Sequence, residues 1–207
     1  MEGALGRVVG GRLRGGRCRS AEGVHQPARR GRHAQQRRGK SANLTSKSEH
    51  GDAEIHIEFN VPRGSNSGIY LQGRYEVQVL DSFGKAAIAE HDCGAIYERW
   101  DPSRGKSNEG YEGHTSKVNA SKPPGEWQSF DITFRAPRFD ASGKKIENAR
   151  FIKVVHNGEV IHENVEVTGP TRGGKPENEA AAGPIVIQGD HGPVAYRNLK
   201  IVTSSSP

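Results

Sequence analysis

The chain has 207 residues, which is room for about one domain, and its formal net charge is +6. Residues 1–42 contain ten Arg, one Lys and two Glu (net +9), whereas the remainder contains 19 basic and 22 acidic side chains (net −3). This distribution argues against nucleic-acid binding by the folded part, because phosphate binding needs several cations on one folded surface. The sequence shows no run of ~20 apolar residues that would predict a membrane helix, and no signal peptide is visible in this chain.

Residues 1–42 are predicted to be a disordered or non-native leader. They are rich in Gly and Arg and hold few large apolar side chains, so they cannot bury enough surface to offset the entropy of ordering. Three interpretations stay open: an out-of-frame leader on a truncated gene, a solvated tail, and an arm that binds nucleic acid or another anionic surface. The folded domain is predicted over residues 43–203, and residues 204–207 are predicted to be a tail.

The first strands follow from a period of two in the apolar residues. Ile55, Ile57 and Phe59 alternate with polar side chains, as in a half-buried strand. Turn residues then lead to two further predicted strands, over residues 69–72 and 74–80. The sequence thus opens its folded part with at least three strands.

Residues 74–80 have two chemically different faces. One face is apolar, and the other carries Glu76 and Gln78, with Asp81 at the strand end. A polar, turn-rich region, residues 82–124, follows directly, and long connections of this kind often carry binding sites. We therefore predict a site here, although the polar face of a one-sided sheet would show the same pattern.

The later strands are predicted over residues 127–134, 184–188 and 194–202, together with a hairpin at Asn157 and Gly158. Asn-Gly between two apolar runs is the strongest short-range hairpin signal. No segment shows a sustained 3.6-residue apolar stripe. Many short strands separated by Gly and Pro turns predict an all-β fold, a sandwich or jelly roll.

Further candidate site residues lie outside the first strands. His191, in a Gly-Asp-His-Gly turn, is either a loop histidine or a proton-transfer group. Arg197 lies on an otherwise apolar strand face, which predicts a carboxylate partner (Glu76 or Asp81) or a bound sugar. Tyr97 and Trp127 fit either the core or flat platforms for a carbohydrate.

The sequence lacks the motifs of several common enzyme reactions. There is no serine nucleophile elbow, phosphate-binding glycine loop or dinucleotide fingerprint, which argues against hydride and phosphoryl transfer. His91, Asp92 and Cys93 are adjacent but lack a second ligand pair at zinc-like spacing. The loops are rich in Asp, Glu and Asn, which leaves a divalent cation with oxygen ligands open as a cofactor.

Several blocks in order resemble the 3-keto-disaccharide hydrolase family. They include Glu-x-His-x-Glu-Phe from Glu54, residues 66–71 and 75–81, residues 94–97 and 124–127, the Asn157-Gly158 hairpin, residues 183–188 with Gln188, and residues 191–192 and 196–199. The resemblance spans about residues 50–202. It implies a concanavalin-like β-sandwich and a periplasmic or extracellular location. It also implies cleavage of an oxidised (3-keto) glucoside or disaccharide by elimination followed by hydration.

That reaction needs a base near C2, a group that stabilises the enolate oxygen, and an acid for the leaving group. Our hypothesis assigns Glu76 or His191 as the base, and Tyr97 or His191 as the acid. Gln78 and Arg197 would stabilise the oxyanion, Asp81 would orient a partner, and Trp127 and Gln188 would contact the sugar. The alternative is a non-catalytic carbohydrate-binding module, since the same sandwich serves lectins. The sequence predicts no oligomeric state.

Overall fold

The computed structural model describes residues 7–8, 13–14, 42–175 and 178–203. Most of the predicted leader and the tail at 204–207 lie outside the described residues, so the prediction of disorder there stays a prediction. Two short pieces of the leader are described as strands. Arg7–Val8 pairs with the last strand of the chain, and Leu13–Arg14 pairs with Leu44–His50.

The described residues form fifteen strands and one 3₁₀ turn, Pro102–Arg104. The strands are β1 Arg7–Val8, β2 Leu13–Arg14, β3 Leu44–His50, β4 Ala53–Asn60, β5 Asn66–Leu71, β6 Tyr75–Leu80, β7 Arg99–Trp100, β8 Gly110–Tyr111, β9 Trp127–Arg135, β10 Arg138–Phe139, β11 Lys145–Glu147, β12 Ala149–His156, β13 Glu159–Val167, β14 Gly183–Ile187 and β15 Ala195–Thr203. None of the described helices is long and apolar enough to span a membrane.

Two antiparallel sheets form a sandwich. The six-stranded sheet has the order β1-β15-β4-β9-β12-β13, and the five-stranded sheet has the order β2-β3-β14-β5-β6. Two short ribbons, β7-β8 and β10-β11, lie in the connections. The all-β sandwich predicted from the sequence is therefore confirmed, and each predicted strand is present with shifts of a few residues at its ends.

The core lies between the two sheets and takes its side chains from the alternating apolar positions. Ile57 and Phe59 of β4 and Phe134 of β9 are almost fully buried, as is Tyr75 of β6. The rings of Tyr75 and Phe134 lie 5.5 Å apart, which joins the two sheets. Burying one such side chain stabilises the fold by about 1.5–3 kcal/mol. Because these residues fix the inward faces, the alternate residues must face outward.

The β12–β13 hairpin has the geometry that its sequence predicts. Asn157 and Gly158 have φ values of 52° and 90°, so both central residues are left-handed, as a type I′ turn requires. Asn157 tolerates this conformation better than most residues, and Gly158 has no Cβ to clash. The strand register that follows buries Val154 and Ile161 on the core side.

The long connection over residues 82–124 forms backbone hydrogen bonds with β6. Residues 94–97 run along the outer edge of β6. The backbone amide of Gln78 donates to the Ala95 carbonyl at 2.9 Å, and the backbone amide of Tyr97 donates to the Glu76 carbonyl at 3.0 Å. An isolated bridge joins Val77 to Ile96. These bonds cover the sheet edge and bring Tyr97 to the outward face of β6.

Two buried histidines make the fold less stable at acidic pH. Burial lowers the pKa of His156 from 6.5 to about 4, since this side chain is 1% exposed between the rings of Phe59 and Phe130. The native state therefore holds His156 neutral between pH 6.5 and 4, whereas the unfolded chain binds a proton there. Stability from this residue is complete above pH 6.5 and is lost as the pH falls toward 4.

We expect the free energy of unfolding of the wild type, measured relative to His156→Gln by urea titration, to fall by about 3 kcal/mol between pH 7 and pH 4. The comparison with the variant isolates His156 from the other groups that titrate in this range. His162, whose pKa burial also lowers to about 4, should behave in the same way in its own variant. A difference that stays constant with pH would contradict the prediction.

Candidate active site

A pocket lies on the face of the β5–β6 hairpin that points away from the core. The antiparallel register places Tyr70 opposite Glu76 and Gly68 opposite Gln78. The cavity has a volume of about 310 Å³. Its floor is formed by Asn66, Tyr70, Glu76 and Gln78. Its walls come from three connections, which contribute Tyr97, Arg172, Gly173, Gln188 and His191.

Glu76 is the buried acid of this pocket. Its side chain is 3% exposed and forms no ion pair with any described residue. Burial raises the pKa of Glu76 to about 8, and a hydrogen bond from Tyr70 opposes this rise in part. A carboxyl group that changes charge near neutral pH inside a cleft is suited to general acid–base catalysis.

Gly68 makes room for the Glu76 carboxyl group. A Cβ atom at this position would lie 1.9 Å from Glu76 Oε1, far inside van der Waals contact. Gly68 thus has a steric function in the β5 strand, since its backbone φ is not in the left-handed region. Gly68 therefore contributes to the site because the absence of a side chain leaves space for the Glu76 carboxyl group.

The floor offers both donors and acceptors to a ligand. Burial and the charge of Glu76 raise the pKa of Tyr70, so its hydroxyl stays protonated; Gln188 Nε2 donates to that hydroxyl at 3.3 Å. Asn66 Oδ1 is buried and accepts no hydrogen bond from the described residues. Gln78 Nε2 donates to the His91 carbonyl at 3.2 Å, which fixes the orientation of the Gln78 amide. A few polar groups held in fixed positions are what orients a ligand in a binding pocket.

The walls carry a phenol and a guanidinium group. Burial and the charge of Glu76 raise the pKa of Tyr97, which stays protonated, and the His91 ring packs 5.2 Å from the Tyr97 ring. Arg172 is half-exposed, lies 3.5 Å from Glu98 and stacks over Trp100 at 3.8 Å. Glu98 and Trp100 thus hold the guanidinium group at the pocket.

His191 lies at the mouth of the pocket. Its side chain is exposed, and its Nδ1 atom lies 2.6 Å from Asp190 Oδ1. A carboxylate at one ring nitrogen orients the imidazole and leaves Nε2 for another partner. The carboxylate next to His191 is Asp190, not Asp81, which the sequence hypothesis had proposed as the orienting residue.

The structure brings together five of the eight residues selected from the sequence: Glu76, Gln78, Tyr97, Gln188 and His191. The other three do not line this pocket. Asp81 accepts a hydrogen bond from the Gly64 amide at 2.9 Å and so holds the turn before β5. Arg197 and Trp127 lie on the six-stranded sheet. The hypothesis that Arg197 acts at one site with Glu76, Gln78 and His191 is therefore wrong, and Asp81 and Trp127 also lie outside this pocket.

Arg197 and Trp127 form a separate surface cluster. Arg197 lies opposite Glu58 in the β15–β4 register, and the Arg197 Nε and Glu58 Oε2 atoms are 2.5 Å apart. The same guanidinium stacks over the Trp127 ring at 3.9 Å. The predicted partners Glu76 and Asp81 were wrong because β15 joins the six-stranded sheet, whereas β6 belongs to the other.

The sequence analysis missed Asn66, Tyr70 and Arg172. The two predicted strands over residues 69–72 and 74–80 held the signal for Tyr70, because pairing them around a tight turn places Tyr70 beside Glu76. Arg172 left no such signal. It reaches the pocket because the Thr171 amide donates to the Arg74 carbonyl at 2.9 Å and the Arg172 amide donates to the Glu98 carbonyl at 2.7 Å.

One group of side chains near the pocket has a donor set that could hold a metal ion. The ligand atoms of Glu90, His91 and Glu98 all lie within 4.8 Å of one another. Two carboxylates and an imidazole suit a divalent transition metal or zinc. The adjacent Asp92 does not belong to this group, because it is engaged with Ser82 and Lys85.

Comparisons with known proteins agree with the fold. A profile of the 3-keto-alpha-glucoside-1,2-lyase-like domain matches residues 8–202, a range that includes part of the predicted leader. The crystal structure of a candidate glycosyl hydrolase from Parabacteroides distasonis ATCC 8503 is 31% identical, with a TM-score of 0.64 over 80% of this chain and 69% of that chain.

A second crystal structure of a candidate glycosyl hydrolase from the same organism shares the fold at 19% identity, with a TM-score of 0.52 over 78% of this chain and 83% of that chain. No curated protein matches the chain at a significant level. The profile match over nearly the whole chain, together with the 31% identical relative, confirms the resemblance read from the sequence blocks. The chain belongs to the 3-keto-alpha-glucoside-1,2-lyase-like, or 3-keto-disaccharide hydrolase, domain family.

Proposed function

We propose that this protein cleaves glycosides whose sugar ring carries a ketone at C3, by elimination followed by hydration, with Glu76 as the base. The observation that carries the proposal is Glu76 itself, a carboxyl group that is 3% exposed, without an ion pair among the described residues, and with a pKa of about 8. Such a group can accept a proton from carbon at neutral to mildly basic pH. The family membership supports the same reaction class.

The proposed reaction begins at C2 of the oxidised ring and passes through an enolate. The C3 ketone acidifies the C2 hydrogen, and the Glu76 carboxylate removes it as a proton to form an enolate. The enolate electrons then expel the substituent at C1, and the C1–O bond breaks. The leaving oxygen takes a proton from His191 or Tyr97. Water then adds its hydroxyl group to C1 and gives its proton back to His191 or Tyr97, while Glu76, after its proton has exchanged with solvent, protonates C2 and returns to the carboxylate.

Polar groups of the pocket suit the charge that develops. Arg172 and Gln78 would stabilise the enolate oxygen, and Arg172 thus takes the role that the sequence hypothesis gave to Arg197. Stabilising a developing oxyanion in a partly water-excluded pocket is often the largest single contribution to catalysis. The Tyr70 hydroxyl, which stays protonated, donates to Glu76 and keeps the carboxyl group in place.

The described lining of the pocket lacks the paired carboxylates of an ordinary glycosidase. Retaining enzymes place two carboxyl groups about 5–5.5 Å apart, and inverting enzymes place them about 6.5–9.5 Å apart. Among the described residues that line the 310 Å³ pocket, Glu76 is the only carboxylic acid. A single base fits proton removal from carbon better than it fits the oxocarbenium route.

Incubation with 3-keto-trehalose in deuterated buffer tests the reaction. We expect release of glucose, with one deuterium per turnover at C2 of the oxidised ring, because the elimination breaks the C2–H bond and the hydration rebuilds it from solvent. Unoxidised trehalose is the matched control and should not be cleaved. Repeating the assay with a chelator tests whether Glu90, His91 and Glu98 hold a metal that the reaction needs.

Two results would overturn the proposal. Cleavage of both sugars without deuterium at C2 would indicate an ordinary glycosidase. Binding of the oxidised sugar without turnover, lost in Trp127→Ala but kept in Glu76→Gln, would indicate a carbohydrate-binding module that uses the surface cluster of Trp127 and Arg197.

A further inference from the structure

Glu76 exchanges its proton with solvent in each proposed turnover, although its side chain is only 3% exposed. The proton taken from C2 has to be replaced by a solvent proton before Glu76 protonates C2 again. A sugar ring over Glu76 occupies the 310 Å³ pocket and blocks the direct route from the carboxyl group to water. Exchange with the ring in place therefore needs a second route.

A second cavity, with a volume of about 440 Å³, adjoins the Glu76 pocket on the same face of the five-stranded sheet. Four residues line both cavities and form the boundary between them: Tyr70, Gly173, Gln188 and His191. Three other lining residues, Asn43, Lys175 and Asp190, are exposed, so the second cavity opens to solvent. A water molecule takes up about 30 Å³ in the liquid, so a largely polar cavity of this size holds on the order of ten waters.

Tyr70 connects Glu76 to this second cavity. The strand register places Tyr70 of β5 opposite Glu76 of β6 on one side and opposite Val186 of β14, which lines the second cavity, on the other. The Tyr70 hydroxyl donates to Glu76 and accepts a hydrogen bond from Gln188 Nε2 at 3.3 Å. A Cβ at Gly173 would lie 3.1 Å from the Tyr70 hydroxyl, so glycine keeps the space beside the hydroxyl free.

A phenol hydroxyl can pass a proton on because it has one donor and two acceptor positions. The protonated Glu76 carboxyl group donates its proton to the Tyr70 oxygen while the Tyr70 hydroxyl gives its own proton to a water in the second cavity. The two transfers move one proton from Glu76 to water and leave Tyr70 neutral. No phenolate has to form, although burial raises the pKa of Tyr70. The reverse transfers bring a solvent proton to Glu76.

We propose that Tyr70 is a proton relay between Glu76 and the solvent of the second cavity, and that it exchanges the Glu76 proton while the oxidised ring is bound. The inference rests on the proposed function and adds to it the route of the C2 proton. Among the described residues that line both cavities, His191 is the other titratable side chain. His191 lies at the pocket mouth with its Nδ1 atom 2.6 Å from Asp190, which leaves Tyr70 as the group beside Glu76.

Tyr70→Phe tests the relay, because it removes the hydroxyl and keeps the ring. The variant is incubated with 3-keto-trehalose in deuterated buffer, and deuterium at C2 of the released oxidised ring is measured by mass spectrometry. Loss of a proton-transfer group slows the transfer by roughly 10²–10⁴-fold, so the original proton should return to C2 before it exchanges. We expect most product molecules to retain hydrogen at C2, against one deuterium per product for the wild type. A change of shape alone would lower the rate without changing which isotope returns.

Val186→Trp tests the second cavity as the route, because an indole ring there displaces water but leaves the Tyr70 hydroxyl in place. It should also retain hydrogen at C2, and Thr45→Phe at the paired position serves if Val186→Trp does not fold. Val155→Trp is the matched control, since Val155 is also a half-buried strand valine but lies on the six-stranded sheet. Tyr97→Phe removes a phenol that lines only the Glu76 pocket, and it should keep the wild-type deuterium content at any rate of cleavage.

The outcomes separate the relay from the reaction itself. If the wild type does not cleave 3-keto-trehalose, the proposed function fails and the relay fails with it. If cleavage occurs and folded Tyr70→Phe carries the same deuterium content as the wild type, the relay alone is wrong. Equal retention of hydrogen in Tyr97→Phe would also contradict it, and a wild-type content in Val186→Trp would exclude the second cavity as the route. An incubation without enzyme corrects for uncatalysed exchange beside the ketone.

Discussion

Glu76→Gln is expected to lower kcat on 3-keto-trehalose by about 10²–10⁴-fold, the cost of removing a working general base. Glutamine has nearly the same shape as glutamic acid and can still accept the hydrogen bond from Tyr70. It cannot take up the proton from C2. The loss should therefore appear in kcat more than in KM, measured as initial rates of glucose release.

The pH profile provides a second readout of the same residue. The base must be unprotonated to work, and burial raises the pKa of Glu76 to about 8. Consequently, kcat/KM of the wild type should rise with pH and level off above an apparent pKa near 8. The residual rate of Glu76→Gln should lack this rise.

Glu58→Gln is the matched control for Glu76→Gln. Glu58 also lies on a strand and hydrogen-bonds a neighbouring side chain, but it belongs to β4 on the outer face of the six-stranded sheet. Its replacement should leave kcat and the pH profile unchanged. Full activity in a folded Glu76→Gln, or an equal loss in both variants, would remove Glu76 from the mechanism.

Much of this fold could be predicted from the sequence, because its signals are local. The alternation around Ile57, the Asn157-Gly158 turn and the polar face of Glu76 and Gln78 each depend on a few neighbouring residues. The same alternation that places Tyr75 in the core directs Glu76 to the opposite face of the sheet, where the pocket lies. Glu76 and Gln78, which form half of the floor of the site, were therefore predictable once the strand over residues 74–80 was recognised.

Assigning each strand to a sheet could not be done in the same way. β14 and β15 follow one another in the chain, yet β14 pairs with β3 and β5, whereas β15 pairs with β4 and β1. No local feature of the two strand sequences shows that Gln188 reaches the pocket and Arg197 does not. The pairing depends on partners more than 100 residues away, such as Glu58 for Arg197. The position of Arg172 in its loop could not be predicted either, because it depends on backbone hydrogen bonds from residues 171 and 172 to the distant Arg74 and Glu98.

Gly68→Ala is expected to lower kcat by about 10²-fold, although the residue itself does no chemistry. The new Cβ would lie 1.9 Å from Glu76 Oε1, so the carboxyl group has to move by more than 1 Å. A displacement of about 1 Å at a reacting group can cost about 10²-fold in rate. The backbone at Gly68 has an ordinary strand conformation, so alanine brings no backbone strain. Initial rates and a thermal unfolding curve of the same preparation check the result.

The double variant Gly68→Ala/Glu76→Gln shows whether Gly68 acts through Glu76. If it does, the double variant should be no slower than Glu76→Gln alone, because the group that the methyl displaces has already lost its function. If Gly68→Ala instead disturbs the sheet, its loss should add to that of Glu76→Gln. Gly51→Ala, whose Cβ would contact only the Ala181 carbonyl at 3.3 Å, should keep full activity. Additive losses, or equal losses in Gly51→Ala and Gly68→Ala, would show that the space above Gly68 does not position the base.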